Sequence, residues 1–248
     1  MKKLYEKSEI TFTIVWIVVY CVLQSVANPL NKIIGIEGAA NAVFNVVMTV
    51  VLFNFIRKNG LLEKYGLCKT TVPARKFLYY VPLFILATSN LWFGIAVNLP
   101  LIDTVCYLIY MLCVGFIEEV LFRGFLFKAM AKDNIKSAII ISSVTFGLGH
   151  LLHLINGSGV ELIPNLCQVI RAIAIGYLFV VIFYRGGSLL PCIITHSAID
   201  MISAFANETG LTVEKRIDHN LILIALILAY ALILTKVLPK NRNDTGDR

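Results

Sequence analysis

Long apolar runs alternate with short polar segments along the 248-residue chain. A helix of about 20 apolar residues spans the hydrocarbon core of a bilayer. Eight such spans are expected: residues 10–26, 39–56, 77–97, 102–130, 135–155, 164–184, 189–205 and 221–238. The polar stretches between them carry turn signals, among them Gly157-Ser158-Gly159 and Gly186-Gly187. Pro164 and Pro191 fall at or near span starts, where a proline disturbs a helix least. The fold class expected is therefore all-α: a polytopic membrane protein, a bundle of about eight transmembrane helices. It forms one transmembrane domain over residues 1–248, with a polar, frayed C-terminal tail at 239–248.

Composition agrees with that pattern. Hydrophobic residues make up 58% of the chain and charged residues 15%, with a mean hydropathy of +0.80. A soluble domain carries about 25% charged residues. The first apolar run is too long for a secretory h-region and no small-residue cleavage site follows it, so no cleavable leader is expected. The six cysteines, Cys21, Cys68, Cys106, Cys113, Cys167 and Cys192, form no Cys-x-x-Cys pair. They read as small buried hydrophobes rather than as a disulfide framework or a thiolate metal site.

The net charge of +7 would suit a nucleic-acid partner, but its distribution points to a lipid bilayer. With the N-terminus inside and the spans alternating, eighteen Lys and Arg residues fall in inner segments. Only Lys32, Lys215 and Arg216 fall outside, and Arg171 lies within the sixth span. This asymmetry places both termini in the cytoplasm.

Ionisable residues at bilayer depth cost at least about 2.5–3.5 kcal/mol each, so they demand partners. Glu118, Glu119 and Arg123 sit in the fourth span. Glu119 and Arg123 are four apart on one helical face, with the acid N-terminal to the base, which suits an ion pair. Glu118 is turned about 100° away, so its partner is expected from another helix. His150 is the candidate. The fourth and fifth spans turn near Asp133-Asn134, and antiparallel helices at about 1.5 Å per residue bring Glu118 and His150 to one depth. Two glycines in Phe146-Gly-Leu-Gly-His150 would let a neighbouring backbone approach. His153, one turn on, reads as an interfacial residue rather than a second pocket group. His196 and Asp200 also share a helical face, and Asp200 could fix the imidazole tautomer or hold it protonated. Asn165, Gln168 and Arg171 form a stripe on the sixth span. That stripe could line the same cavity or make a polar helix contact, and it is not assigned to the site. Asn41, Asn45 and Asn54 in the second span read as packing or wet-cavity residues.

Glu118-Glu119-x-x-x-Arg123, then Phe146-x-x-x-His150, then His196-x-x-x-Asp200 resembles the three-motif pattern of the CAAX-protease and bacteriocin-processing family (CPBP, or Abi). Its best understood members are the type II CAAX prenyl endopeptidases. The motifs occupy the fourth, fifth and seventh spans, within a motif-bearing core at 102–205. The resemblance implies an intramembrane glutamate endopeptidase without a cofactor. Glu118 would be the general base that activates water, helped by His150. His196 and Asp200 would stabilise the oxyanion. Glu119 and Arg123 would support the site or bind a substrate carboxylate. Asp200 departs from the asparagine usual in the prenyl endopeptidases. A carboxylate stabilises an oxyanion only when protonated, or indirectly by orienting His196.

The implied partner is a peptide or a lipidated or membrane protein, and the short loops point to a bacterial plasma membrane as the setting. Secreted signalling peptides and bacteriocin precursors are the bacterial substrate classes that come with the resemblance. Two other readings stand beside it. Glu118, His150 and His196 could ligate Zn²⁺ in a metalloprotease. The bundle could also serve without catalysis, as a bacteriocin-immunity or scaffold protein.

Overall fold

The computed structural model describes residues 1–151 and 162–239. The His153 and Gly157–Gly159 readings, and most of the C-terminal tail, lie outside the described residues. Among the described residues the regular secondary structure is all helical, apart from one isolated β-bridge between Ile95 and Ala206. The helices are α1 (Lys2–Lys7), α2 (Glu9–Ile34), α3 (Ala39–Lys58), α4 (Val81–Ala87), α5 (Leu101–Glu118), α6 (Lys128–Met130), α7 (Ile135–Gly149), α8 (Leu162–Gly186), α9 (Leu190–Ser203) and α10 (Val213–Val237). A π-helical stretch, Glu119–Phe127, joins α5 to α6 without a break. Among the described residues, five continuous helical segments are long and apolar enough to cross a membrane, and α7 and α9 are shorter apolar helices. The protein is an all-α polytopic integral membrane protein. Its outward valines and leucines, such as Val18, Val47 and Leu232, are more than half exposed, as lipid-facing positions are.

Local chemistry sets the boundaries. Ser8 Oγ accepts from Thr11 N at 3.2 Å and caps α2. Asn134, in the expected hairpin turn, caps α7 by accepting from Ser137 N at 3.0 Å. Gly35, at φ 76°, ends α2 in the left-handed conformation.

The expected third span, 77–97, is not a continuous helix. A 3₁₀ segment (Ala74–Tyr80) precedes α4, and a second (Ser89–Leu91) follows it. Pro82 lacks a backbone donor and its ring would strike the carbonyl of Leu78 in a helix running through. Leu78, Tyr79 and Tyr80 instead take left-handed φ values of 51°, 54° and 60°, each costing about 1–2 kcal/mol. The apolar composition conceals this break. The segment still runs the full length of α9. It starts where Phe77 packs under Gly186 and accepts from Tyr230 Oη at 2.7 Å. It passes Asn90, whose Nδ2 donates to Ile199 O at 2.9 Å, and ends at Ala96, whose N donates to Phe205 O at 3.0 Å.

One polar end of the bundle is laced by charge. Lys64 Nζ donates to Glu9 Oε1 and to Tyr5 Oη, each at 2.6 Å, and Lys132 Nζ lies 2.9 Å from Glu9 Oε1. Burial pulls the Lys64 ammonium down, but the bonds to Glu9 and Tyr5 outweigh it and leave it raised. A raised folded-state value adds stability below the unfolded value, about 10.4, and loses it as pH rises through the folded one. Thermal stability is therefore expected to weaken above about pH 10.4, by less than about 1 kcal/mol because the pair is partly exposed. Lys64→Met should lose less stability than wild type between pH 10 and 11.

Candidate active site

Three close helix crossings bring the chemistry together. At Gly115, a Cβ would lie 2.6 Å from Ser197 N and 2.9 Å from Ser197 Cα, so α5 and α9 touch backbone to backbone. Ser197 Oγ also donates to Leu112 O at 3.0 Å. At Gly147, a Cβ would lie 3.0 Å from Val169 O, so α7 presses on α8. Of the two glycines expected to admit a neighbour, Gly147 does so; among the described residues, nothing lies within 4 Å of a Cβ at Gly149. At Gly176, a Cβ would lie 3.0 Å from Ser143 Cα and 3.3 Å from Arg123 Nη2. Ser197 follows His196 directly, so the first crossing sets how near His196 comes to Glu118. Gly115→Ala is expected to cost about 1–3 kcal/mol by overpacking and to lower activity by moving α9. A thermal midpoint equal to wild type in detergent would contradict it.

The π-helical stretch begins at Glu119, and all nine of its residues are buried. Such segments are rare and cluster at functional sites. Ser142 Oγ, on α7, donates to Phe122 O at 2.8 Å and satisfies one of its carbonyls. Arg123 Nη1 donates to Glu119 Oε1 at 3.0 Å, and both side chains are fully buried. The expected pair exists. The guanidinium also stacks over Phe146, its Cζ 3.9 Å from the ring centroid, a contact worth about 2 kcal/mol when desolvated.

Glu119 has a second partner that its position in the sequence did not reveal. His196 Nδ1 lies 2.8 Å from the same Oε1. With an ionised acceptor there, Nδ1 is the donor and Nε2 faces the opposite way. His196 Nε2 stands 3.3 Å from Asp200 Oδ2 and 3.8 Å from Glu118 Oε2. The closer contact on the ring is therefore Glu119, with Asp200 on the Nε2 side. The His196 ring is held edge-on to Phe146 at 5.5 Å.

Glu118 is unlike its neighbour. Its side chain is 19% exposed, against 0% for Glu119. Its Oε1 accepts from Tyr20 Oη at 2.7 Å. The expectation that Glu118 draws partners from other helices holds, and α2 and α9 supply them. Glu118, Glu119, Arg123, His196 and Asp200 thus form one contiguous cluster. His150 caps α7, edge-on to Phe146 at 5.8 Å. Its Nδ1 lies 3.5 Å from Gln168 Nε2, and its carbonyl accepts from Asn165 Nδ2 at 3.4 Å. The stripe on α8 therefore faces this region, and Arg171 stands within electrostatic reach of Asp200.

Tyr20 of this region, and His219 beside the 77–97 segment, were not singled out by the sequence patterns. Tyr20 left a signal: Tyr20, Gln24 and Asn31 recur at helical spacing in an otherwise apolar span. His219 left none. Its ring lies between Trp92 at 5.5 Å and Phe93 at 5.1 Å, from the segment whose break the hydropathy conceals. Among the described residues, no group of three His, Cys, Asp or Glu side chains is arranged to hold a metal ion.

No curated protein and no solved structure matches this chain. Residues 100–202 match the family described as type II CAAX prenyl endopeptidase Rce1-like. That interval contains α5, the π-helical stretch and all but the last residue of α9, hence every member of the acid–histidine cluster, while α2, α3 and α10 lie outside it. Such a match supports an intramembrane CAAX-type protease in general. Over residues 100–202, the chain is similar to the family of Rce1-like type II CAAX prenyl endopeptidases.

Proposed function

We propose that the protein is an intramembrane glutamate endopeptidase in which Glu118 is the general base. The observation that carries this reading is the unequal use of the Glu118 oxygens. Oε1 accepts from Tyr20, while Oε2 faces His196 Nε2 across 3.8 Å, on the exposed side of the cluster. A water between Oε2 and a peptide carbonyl gives its proton to Glu118, and the hydroxide adds to the carbonyl carbon. The oxyanion that forms accepts from Nε2–H of a doubly protonated His196, whose Nδ1–H stays on Glu119 and whose charge Asp200 balances. A donor so placed is worth about 3–4 kcal/mol in other hydrolases. Collapse of the tetrahedral intermediate breaks the C–N bond, and Glu118 returns its proton to the leaving amine. The products are a carboxylate and an amine.

The remaining residues support these steps. Glu119 fixes Nδ1–H of His196, as carboxylates orient catalytic imidazoles elsewhere, and Arg123 balances Glu119. Asp200 acts through His196 rather than as a direct oxyanion donor. His150 assists from the end of α7. The mechanism uses no metal. The substrate is a peptide or a lipidated or membrane-associated protein, cut in a bacterial plasma membrane by an enzyme with both termini in the cytoplasm.

The test is a peptide profile of native cells in three states: wild type, gene deletion, and deletion complemented with Glu118→Gln at matched membrane levels. One precursor accumulating uncut in both the deletion and the Glu118→Gln strain is the expected result. A Glu118→Gln strain that behaves like wild type would move the protein to an immunity or scaffold role. Stoichiometric zinc in purified protein, with cleavage abolished by its removal, would replace this mechanism with a metalloprotease.

A further inference from the structure

We infer that Tyr20 is a positioning residue for the catalytic carboxylate, and that α2 and α3 form the frame that holds it in place; this rests on the assignment of Glu118 as the base. Tyr20 Oη donates to Glu118 Oε1 at 2.7 Å from a helix 98 residues away in sequence. A carboxylate at the end of a side chain with three torsions turns freely unless it is tied. Binding Oε1 leaves Oε2 as the oxygen presented to water and to His196. Geometry at this precision matters to rate, because misplacement by about 1 Å costs a reaction about 10²-fold.

The frame around Tyr20 is built to set its height. Phe12, two turns before Tyr20 on the same face, packs on Phe125 of the π-helical stretch at 5.4 Å and on Phe55 of α3 at 5.0 Å. Gln24, one turn after Tyr20, begins a ladder of amides between α2 and α3. Gln24 Nε2 donates to Asn45 Oδ1 at 3.0 Å, and Asn41 Nδ2 donates to Gln24 Oε1 at 2.8 Å. Asn31 Nδ2 donates to Asn41 Oδ1 at 2.5 Å, and Asn31 Oδ1 accepts from Ala40 N at 2.8 Å. Each rung is specific in register, because a slip of α2 along α3 would leave amides unpaired in an apolar setting. The ladder therefore accounts for Asn41 and Asn45 as parts of the device that holds Tyr20 opposite Glu118.

The experiment has two readouts, both on the full-length protein. The first is spectroscopic and needs no substrate. The Glu118 carboxyl band is isolated as the infrared difference between wild type and Glu118→Gln in phosphatidylethanolamine–phosphatidylglycerol vesicles. In the Tyr20→Phe background this band is expected to shift, because the variant removes only the hydroxyl that donates to it. The second readout is processing in cells, using the precursor that accumulates uncut in the deletion strain. Tyr20→Phe is expected to slow its processing about tenfold, the effect of losing one hydrogen bond to a charged group. Thr13→Val is the control. It removes a buried hydroxyl on the same helix that donates only to Glu9 O, and both readouts should stay at wild type.

An unshifted carboxyl band in Tyr20→Phe overturns the contact. A shifted band with wild-type processing overturns the positioning role while leaving Glu118 as base. If Glu118→Gln itself processes the precursor, the assignment of the base fails first and the role of Tyr20 falls with it. A shifted band with slowed processing, and a silent Thr13→Val, supports the inference.

Discussion

Glu118→Gln is expected to reduce cleavage by about 10²–10⁴-fold, the range for removing a general base, with no loss of protein from the membrane. The amide has the shape of the carboxylate, and its carbonyl oxygen still accepts from Tyr20 Oη, now 2.7 Å from Glu118 Oε1. What it lacks is a basic lone pair facing His196. The side chain is partly exposed, so its charge does not hold the core together as that of Glu119 does. The measurement is the ratio of uncut to cut precursor, quantified by mass spectrometry at equal immunoblot intensity. A ratio within a few-fold of wild type would mean that this carboxylate does no proton transfer.

Arg123→Met is expected to act on the fold instead. Arg123 and Glu119 are both fully buried, and removing one partner of such a pair typically costs about 3–5 kcal/mol, because the other charge is stranded. For a chain of this length that corresponds to a fall of about 6–20 °C in thermal midpoint. The stacked contact with Phe146 is retained only in part by a thioether. The double variant Glu119→Gln/Arg123→Met should recover most of the loss. An uncharged amide needs no counter-ion, and its oxygen still accepts from His196 Nδ1, which lies 2.8 Å from Glu119 Oε1. Midpoints in one detergent, with the three proteins side by side, decide the matter. A double variant no more stable than Arg123→Met would show that the guanidinium acts through packing and not through charge. Together the two predictions separate the adjacent glutamates into one that serves chemistry and one that serves structure.

The division between these glutamates was half legible in the chain. Spacing alone paired Glu119 with Arg123 and turned Glu118 toward another helix, because a helix converts sequence separation into angle. The identity of the partner was not available by that route. Depth arithmetic favoured His150, yet the closest imidazole contact to the glutamates comes from His196, on a helix drawn against α5 by Gly115. Tyr20, the hydrogen-bond donor to Glu118, stands in a span outside every motif. The break at 77–97 was missed for a different reason. Mean hydropathy weighs composition and is blind to Pro82, which removes a donor and forces three residues into the left-handed region.

By itself, the sequence determined those features that the solvent dictates. Apolar runs of membrane length favour helix, since backbone polar groups in lipid must find their bonds within the segment, and the run at 77–97 departs from it around Pro82. Ionisable residues inside such runs must converge, since each alone is too costly. Those two constraints yield an all-α bundle with a polar centre, and the three motifs carry its resemblance to a family. The tertiary structure decided which groups meet and with which atoms. Close crossings at Gly115, Gly147 and Gly176, an amide ladder and a π-helical turn place Tyr20, Glu118, Glu119, His196 and Asp200 within hydrogen-bond or near-contact distance. Such distances depend on interhelical packing to within an ångström. Helical periodicity constrains each helix separately and is silent about how far apart two helices stand.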